Sequence, residues 1–237
     1  MLDEVRQSLR SHADPEKARL ATRFFKAGPG QYGEGDKFLG ITVPSIRLVA
    51  KRYYKTLRLE EVIGLLHSPW HEERLAAVII LVMQYKRGDE EQQHQIYQRY
   101  LANTKWINNW DLVDSSAEFI VGPWLDGKPE QMTILTGLAK SKSVWERRIA
   151  MLATFDYIKR GRADQAVAVA SLLLHDEHDL IQKAVGWMIR EIGKRVDRQI
   201  QLHFLDEFAA TMPRTTLRYA IEHLDNTTRV HYLTRKQ

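Results

Sequence analysis

WHEERLAAVIILVMQYKRG, residues 70–88, and VWERRIAMLATFDYIKRG, residues 144–161, decide how this chain is built. Each has a tryptophan and at least one glutamate near its start, runs through an apolar interior, and ends in Lys-Arg-Gly. Acids in a first turn, cations in a last turn and a glycine beyond are the marks of a helix that starts and stops. Aligned on Arg74-Leu75-Ala76 and Arg148-Ile149-Ala150, the two stretches stand 74 residues apart, two steps of about 37. Asp111, inside Trp110-Asp111-Leu112-Val113-Asp114, falls on the intermediate step, and Lys183 and Arg218 follow at further steps of about 35.

A helix-pair unit at that period is the signature of an α-solenoid, close to the HEAT and armadillo range. The rest of the chain agrees. Short alternating β-branched runs are absent, and helical periodicity predicts helices near 2–11, 15–27, 43–55, 58–67, 70–87, 89–102, 106–124, 128–140, 143–160, 163–175, 178–195, 197–210 and 213–225. The expected fold is all-α, a HEAT-like helical-repeat superhelix with a concave basic face. It is read as a single domain over 1–237, with 226–237 as a C-terminal tail. The exception to the helical period is KAGPGQYGEGDKFL, residues 26–39, which reads as a flexible connection. Its Gly28-Pro29-Gly30-Gln31-Tyr32-Gly33 has the spacing of a dinucleotide loop, but no strand precedes it.

Composition narrows the function. With 237 residues, 44% of them hydrophobic, the chain can bury a sizeable core. The absence of cysteine removes disulfide scaffolds, thiol nucleophiles and thiolate-ligated metals. Histidine pairs at 67/71 and 175/178 have helical spacing, but Pro69 interrupts the vicinity of the first and a helix boundary the second. No metal and no cofactor is expected. The longest apolar run, residues 75–83, is too short for a membrane span, and no secretory signal is visible, so a cytoplasmic home is expected. A net charge of +5 becomes a nucleic-acid surface only if clustered on one face.

The repeat register suggests such a face. At about 100° per residue from the recurring position, Trp110 stands near −100°, Asp114 near −60°, Arg148 at zero and Trp187 near +40°. All four fall within an arc of about 140°. Around Trp187, Lys183, Arg190 and Lys194 make one stripe, while Ile181, Val185, Met188 and Ile192 make an apolar stripe for the core. Each tryptophan alone could be core packing, and arginines at the repeat period could form an ion-pair ladder between repeats. Those readings account less well for two tryptophans, a carboxylate and a basic stripe together.

Ile107-Asn108-Asn109-Trp110-Asp111-Leu112-Val113-Asp114 resembles the central motif of the bacterial AlkD-type DNA alkylation-repair glycosylases. Residues 145–150, WERRIA, and 181–191, IQKAVGWMIRE, are similar to the next two motifs, and residues 38–44, FLGITVP, to the N-terminal one, with Arg47 following. The resemblance spans about 15–225. It implies a superhelix of HEAT-like repeats, Trp110 and Trp187 flanking the lesion, Asp114 as catalytic carboxylate and Arg148 as a DNA contact. Thr42 stands where the best-known members carry glutamine, and Phe24 replaces a tyrosine near the lesion; both departures bear on lesion preference.

The resemblance therefore implies a monofunctional glycosylase acting, as a monomer, on double-stranded DNA carrying N3- or N7-alkylated purines. Asp114, Trp110 and Trp187 form the expected catalytic set. Arg148, Lys183, Arg190, Lys194, Arg47 and Thr42 are the expected DNA contacts. A non-catalytic helical-repeat DNA-binding protein and a protein–protein scaffold are the alternatives.

Overall fold

The computed structural model describes residues 1–235. Among these the chain forms sixteen α-helices, one 3-10 turn and no strand, so the all-α repeat architecture is as read from the period. No helix among the described residues is long and apolar enough to cross a membrane. The chain divides into two compact units, the first covering Met1–Ile120 and the second beginning at Val121.

The first unit is built on α5 (His71–Arg87), whose side chains are buried without a break from His71 to Val82. Around it stand α1 (Leu2–Arg10), α3 (Val43–Tyr53), α4 (Leu59–Leu66) and α6 (Glu90–Ala102). The buried stretch takes in Glu72, Glu73 and Arg74, and buried charges persist only when paired. Glu73 meets Arg6 and Arg10, and Glu72 accepts the backbone N–H groups of Leu39, Gly40 and Ile41. By contrast α2 (Pro15–Phe24) buries no residue; Asp14 caps it by accepting N–H from Glu16 and Lys17, with Pro15 at its first position.

The second unit centres on α13 (Asp179–Arg195), which packs on α10 (Val144–Ala153), α14 (Arg198–Phe208) and α15 (Arg214–Ala220). Gly186 permits the close approach to α15. A Cβ there would lie 2.4 Å from the Thr216 carbonyl oxygen and 2.6 Å from Tyr219 Cβ. The segment expected as a tail contains a further helix, Asn226–Thr234, capped by Asp225; only residues 236–237 of it lie outside the described residues.

Two long helices expected from periodicity are broken. The stretch 106–124 becomes a 3-10 turn (Thr104–Trp106), α7 (Trp110–Asp114) and α8 (Ala117–Leu125). Asn109 is extended and accepts the Trp110 N–H with its own side chain, starting a new helix, while Ser116 donates to the Leu112 carbonyl at 2.6 Å and ends it. Likewise 143–160 breaks at Thr154, whose hydroxyl donates to the Met151 carbonyl at 2.6 Å before α11 (Phe155–Lys159) begins. Apolar periodicity runs on through both breaks, so only the local polar chemistry marks them.

Capping chemistry also corrects the repeat register. Ser68 Oγ accepts the Trp70 N–H and donates to Glu73, while Arg74 donates to the Ser68 carbonyl at 3.1 Å. Ser141 Oγ accepts the Ser143 N–H and donates to Glu146, while Arg147 donates to the Ser141 carbonyl at 3.0 Å. Arg74 is therefore equivalent to Arg147, not Arg148. The third copy has Asp176 accepting the His178 N–H and Gln182 donating to the Asp176 carbonyl. The adjacent arginines at 147 and 148 allow a letter match that is one residue out, and Lys183 is displaced from the recurring position in the same way.

Candidate active site

Trp110 and Asp114 stand at the two ends of α7, a helix of five residues. They line one open groove of about 480 Å³ with Asp111, Ser115 and Glu118, and with Arg47 from α3 and Lys86 from α5. Trp110 is half-buried. Its ring stacks on Phe25 (5.5 Å between centroids, 26° between planes) and takes the edge of Phe24 at 5.9 Å. Phe25 in turn stacks on Phe38 at 5.3 Å, so the indole is backed by an aromatic column. Phe24 itself is 65% exposed beside Trp110. Behind Asp114, burial pushes the Tyr100 hydroxyl far above its ordinary range; its hydrogen bond with Ser116 opposes this and the Asp114 charge adds to it.

Beneath the groove lies a buried polar network that the sequence does not announce. His71 Nδ1 is 3.1 Å from Asp36 and Nε2 is 2.8 Å from Asp111, with the imidazole only 2% exposed. Arg74 closes the network on the other oxygen of Asp36 at 2.6 Å. Burial would lower the His71 pKa, but the hydrogen bonds to Asp111 and Asp36 outweigh it and lift the value to about 9. Asp36 is displaced the other way: burial raises it, but the His71 and Arg74 contacts together hold it below the usual carboxylate range.

That arrangement gives stability a definite pH dependence. A folded-state pKa raised from 6.5 to about 9 means the His71 contribution is complete below pH 6.5 and is lost as pH rises through about 9. The loss should be on the order of 3 kcal/mol at most. Urea unfolding at pH 6 and pH 9.5 checks this: the wild type should lose stability over that interval, and His71→Gln should lose much less. Equal losses in both proteins would contradict the network's charge state.

The glycine-rich segment is part of this site and is not the flexible connection that composition suggested. Asp36 ties it to Arg74 and His71, Gly30 N–H bonds to Glu34, and Gly33 N–H bonds to the Lys26 carbonyl. Gly33 has no room for a side chain, since a Cβ would sit 2.5 Å from the Phe25 carbonyl oxygen. Thr42, exposed at the start of α3, bonds to Ser45 and lines a second cavity of about 130 Å³ with Phe25, His71 and Asp111. Composition foretold the segment's irregular backbone. The single acid that anchors it carried no signal, because its partners are distant in sequence.

The remaining expected residues belong to the second unit. Trp187, on α13, is half-buried with its ring 5.6 Å from Phe155. Lys183 pairs with Asp179 at 2.7 Å, Arg190 pairs with Glu222, and Lys194 is exposed. Arg148 is buried, 5% exposed, and donates to the Leu180 carbonyl at 2.6 Å. Its guanidinium thus holds the start of α13. Within the first unit, then, Trp110, Asp114 and Arg47 share one groove. In the second, Lys183, Trp187, Arg190 and Lys194 follow one face of α13.

The groove of this helical-repeat chain thus combines an aromatic face, carboxylates and cations. The family model described as DNA alkylation repair enzyme matches residues 5–224, and the chain belongs to that family. Among solved structures it is similar to a predicted DNA alkylation repair enzyme from Enterococcus faecalis, with a TM-score of 0.70 and 19% identity over 91% of this chain and 98% of that one. No curated protein matches the chain.

Proposed function

We propose that this chain is a monofunctional DNA glycosylase that hydrolyses the N-glycosidic bond of cationic N3- and N7-alkylated purines in duplex DNA. The observation that carries the reading is the groove in which Trp110 and Asp114 stand together, at the ends of one short helix, in a chain of the DNA alkylation repair family. An alkylated purine of this kind already bears positive charge, so its bond to the sugar is weakened and the base leaves without being protonated. The enzyme must then stabilise an oxocarbenium-like sugar and direct a water to it. Asp114 does the first electrostatically and the second by accepting a hydrogen bond from the water. The backed face of Trp110 holds the cationic nucleotide by cation–π attraction, and the resemblance of residues 181–191 gives Trp187 the same role. Neither an amine nucleophile nor a metal is needed for this chemistry.

Release of free N7-methylguanine and N3-methyladenine from methylated duplex DNA by the purified protein tests the reading. Duplex binding without base release would instead favour a non-catalytic DNA-binding protein.

The cations are tested separately. Arg47 and Lys86 border the groove, and Lys194 is exposed on the Trp187 face. Converting Arg47, Lys86 and Lys194 to glutamine should weaken binding to all duplexes alike. It should also lower the slope of log K against log salt, by roughly 0.9 for each phosphate no longer neutralised. Lys183 and Arg190 already hold acidic partners, so replacing them should flatten the slope less. An unchanged slope in the triple variant would remove these residues from the DNA surface.

A further inference from the structure

We propose that His71 is a positioning residue for the Trp110–Asp114 helix: its imidazole spans Asp36 and Asp111, and by holding Asp111 it fixes the indole and the carboxylate that face the groove. The inference rests on the proposed glycosylase reading for its effect on catalysis, and on geometry alone for the clamp.

Three features point to this role. First, α7 has five residues, too few to be stable by its own hydrogen bonds, so its orientation depends on what grips it. Asp111 lies in its first turn, between Trp110 and Asp114, and its grip is the 2.8 Å contact to His71 Nε2. Second, the same imidazole supports Trp110 from behind. The His71 ring lies 4.6 Å from Phe25 and 5.0 Å from Phe38, and Phe25 is the ring on which Trp110 stacks. One buried residue therefore touches both a side chain of α7 and the aromatic column that backs the indole. Third, both ring nitrogens face carboxylates, which only accept. A neutral imidazole donates from one nitrogen, and the other then meets a carboxylate lone pair; the imidazolium donates from both. The charged groups facing it are Asp36 from the glycine-rich segment, Asp111 from α7 and Arg74 from its own helix, with Glu72 and Lys17 of α2 lining the adjoining small cavity. With the proton gone, Arg74 still compensates Asp36, but Asp111, its side chain 13% exposed, faces a neutral ring in place of a cation, and the grip on α7 weakens. The raised His71 pKa, about 9, agrees with a clamp that is closed at neutral pH.

Two measurements test the clamp. Imidazole nitrogen NMR of the free wild-type protein should show both His71 nitrogens protonated at pH 7.5 and a titration midpoint near 9, with the Trp110 indole N–H resonance moving along the same curve. In single-turnover excision of N7-methylguanine, His71→Gln should lose rate on the order of 100-fold while its Kd for the same duplex changes less than about threefold. The wild-type rate should also fall as pH passes through about 9, and the residual rate of His71→Gln should not. A His71 that is neutral at pH 7.5, or a Trp110 resonance indifferent to its titration, overturns the clamp. So does His71→Gln excising at the wild-type rate. If the wild type releases no base from any duplex, the glycosylase reading fails by itself, and the two NMR curves still decide whether His71 holds α7.

Discussion

Asp114→Asn is expected to slow single-turnover release of N7-methylguanine by about 10²–10³-fold, the usual cost of removing one group aimed at developing charge. The substitution preserves shape and hydrogen-bonding reach. It removes the negative charge from a half-buried position in the groove, where the oxocarbenium-like sugar would form. Thermal unfolding and duplex Kd should stay close to wild type, since the change is isosteric and Asp114 ends its helix without serving as its cap. Near-normal excision by a well-folded Asp114→Asn protein would take the catalytic role away from this carboxylate.

The second large effect concerns the lesion. If Asp114 stabilises positive charge but gives no proton to the departing base, activity must follow the charge already on that base. N3-methyladenine and N7-methylguanine should be released, while uracil and 1,N6-ethenoadenine should be untouched or slower by several orders of magnitude. Trp110 sharpens the distinction, because a cation over an aromatic face gains about 0.5–2 kcal/mol that a neutral base lacks. The face is presented firmly, stacked on Phe25 with Phe24 at its edge. Trp110→Ala should therefore reduce excision of charged lesions more than it reduces binding to undamaged duplex. Excision of all four lesions by the wild type, at one salt and pH, is the measurement, and uracil release comparable with N7-methylguanine would show the mechanism to be wrong.

The repeat architecture was readable from the chain because similar helix starts and ends recur at a regular spacing, and long helices such as α5 and α13 fell where their caps and Lys-Arg termini placed them. That Trp110 and Asp114 would stand together was legible too, since both lie within one stretch of five residues. What escaped was non-local. His71 looked like one half of a histidine pair with His67, yet His67 turns to Asn103 while His71 joins Asp36 and Asp111, 35 and 40 residues away. The register of Arg148 escaped for a different reason. A serine carbonyl six residues earlier selects Arg147 as the recurring arginine, and periodicity of apolar residues does not report it. Arg148 is instead turned onto the Leu180 carbonyl, which ties two helices of its unit.

The decisive experiment for glycosylase activity is chemical identification of what wild-type protein liberates from a duplex carrying a single N7-methylguanine. Free N7-methylguanine should appear with single-turnover kinetics and without added metal or cofactor, leaving an abasic strand unbroken until alkali is added. Recovery of the intact methylated strand from a saturated protein–DNA complex would contradict that activity.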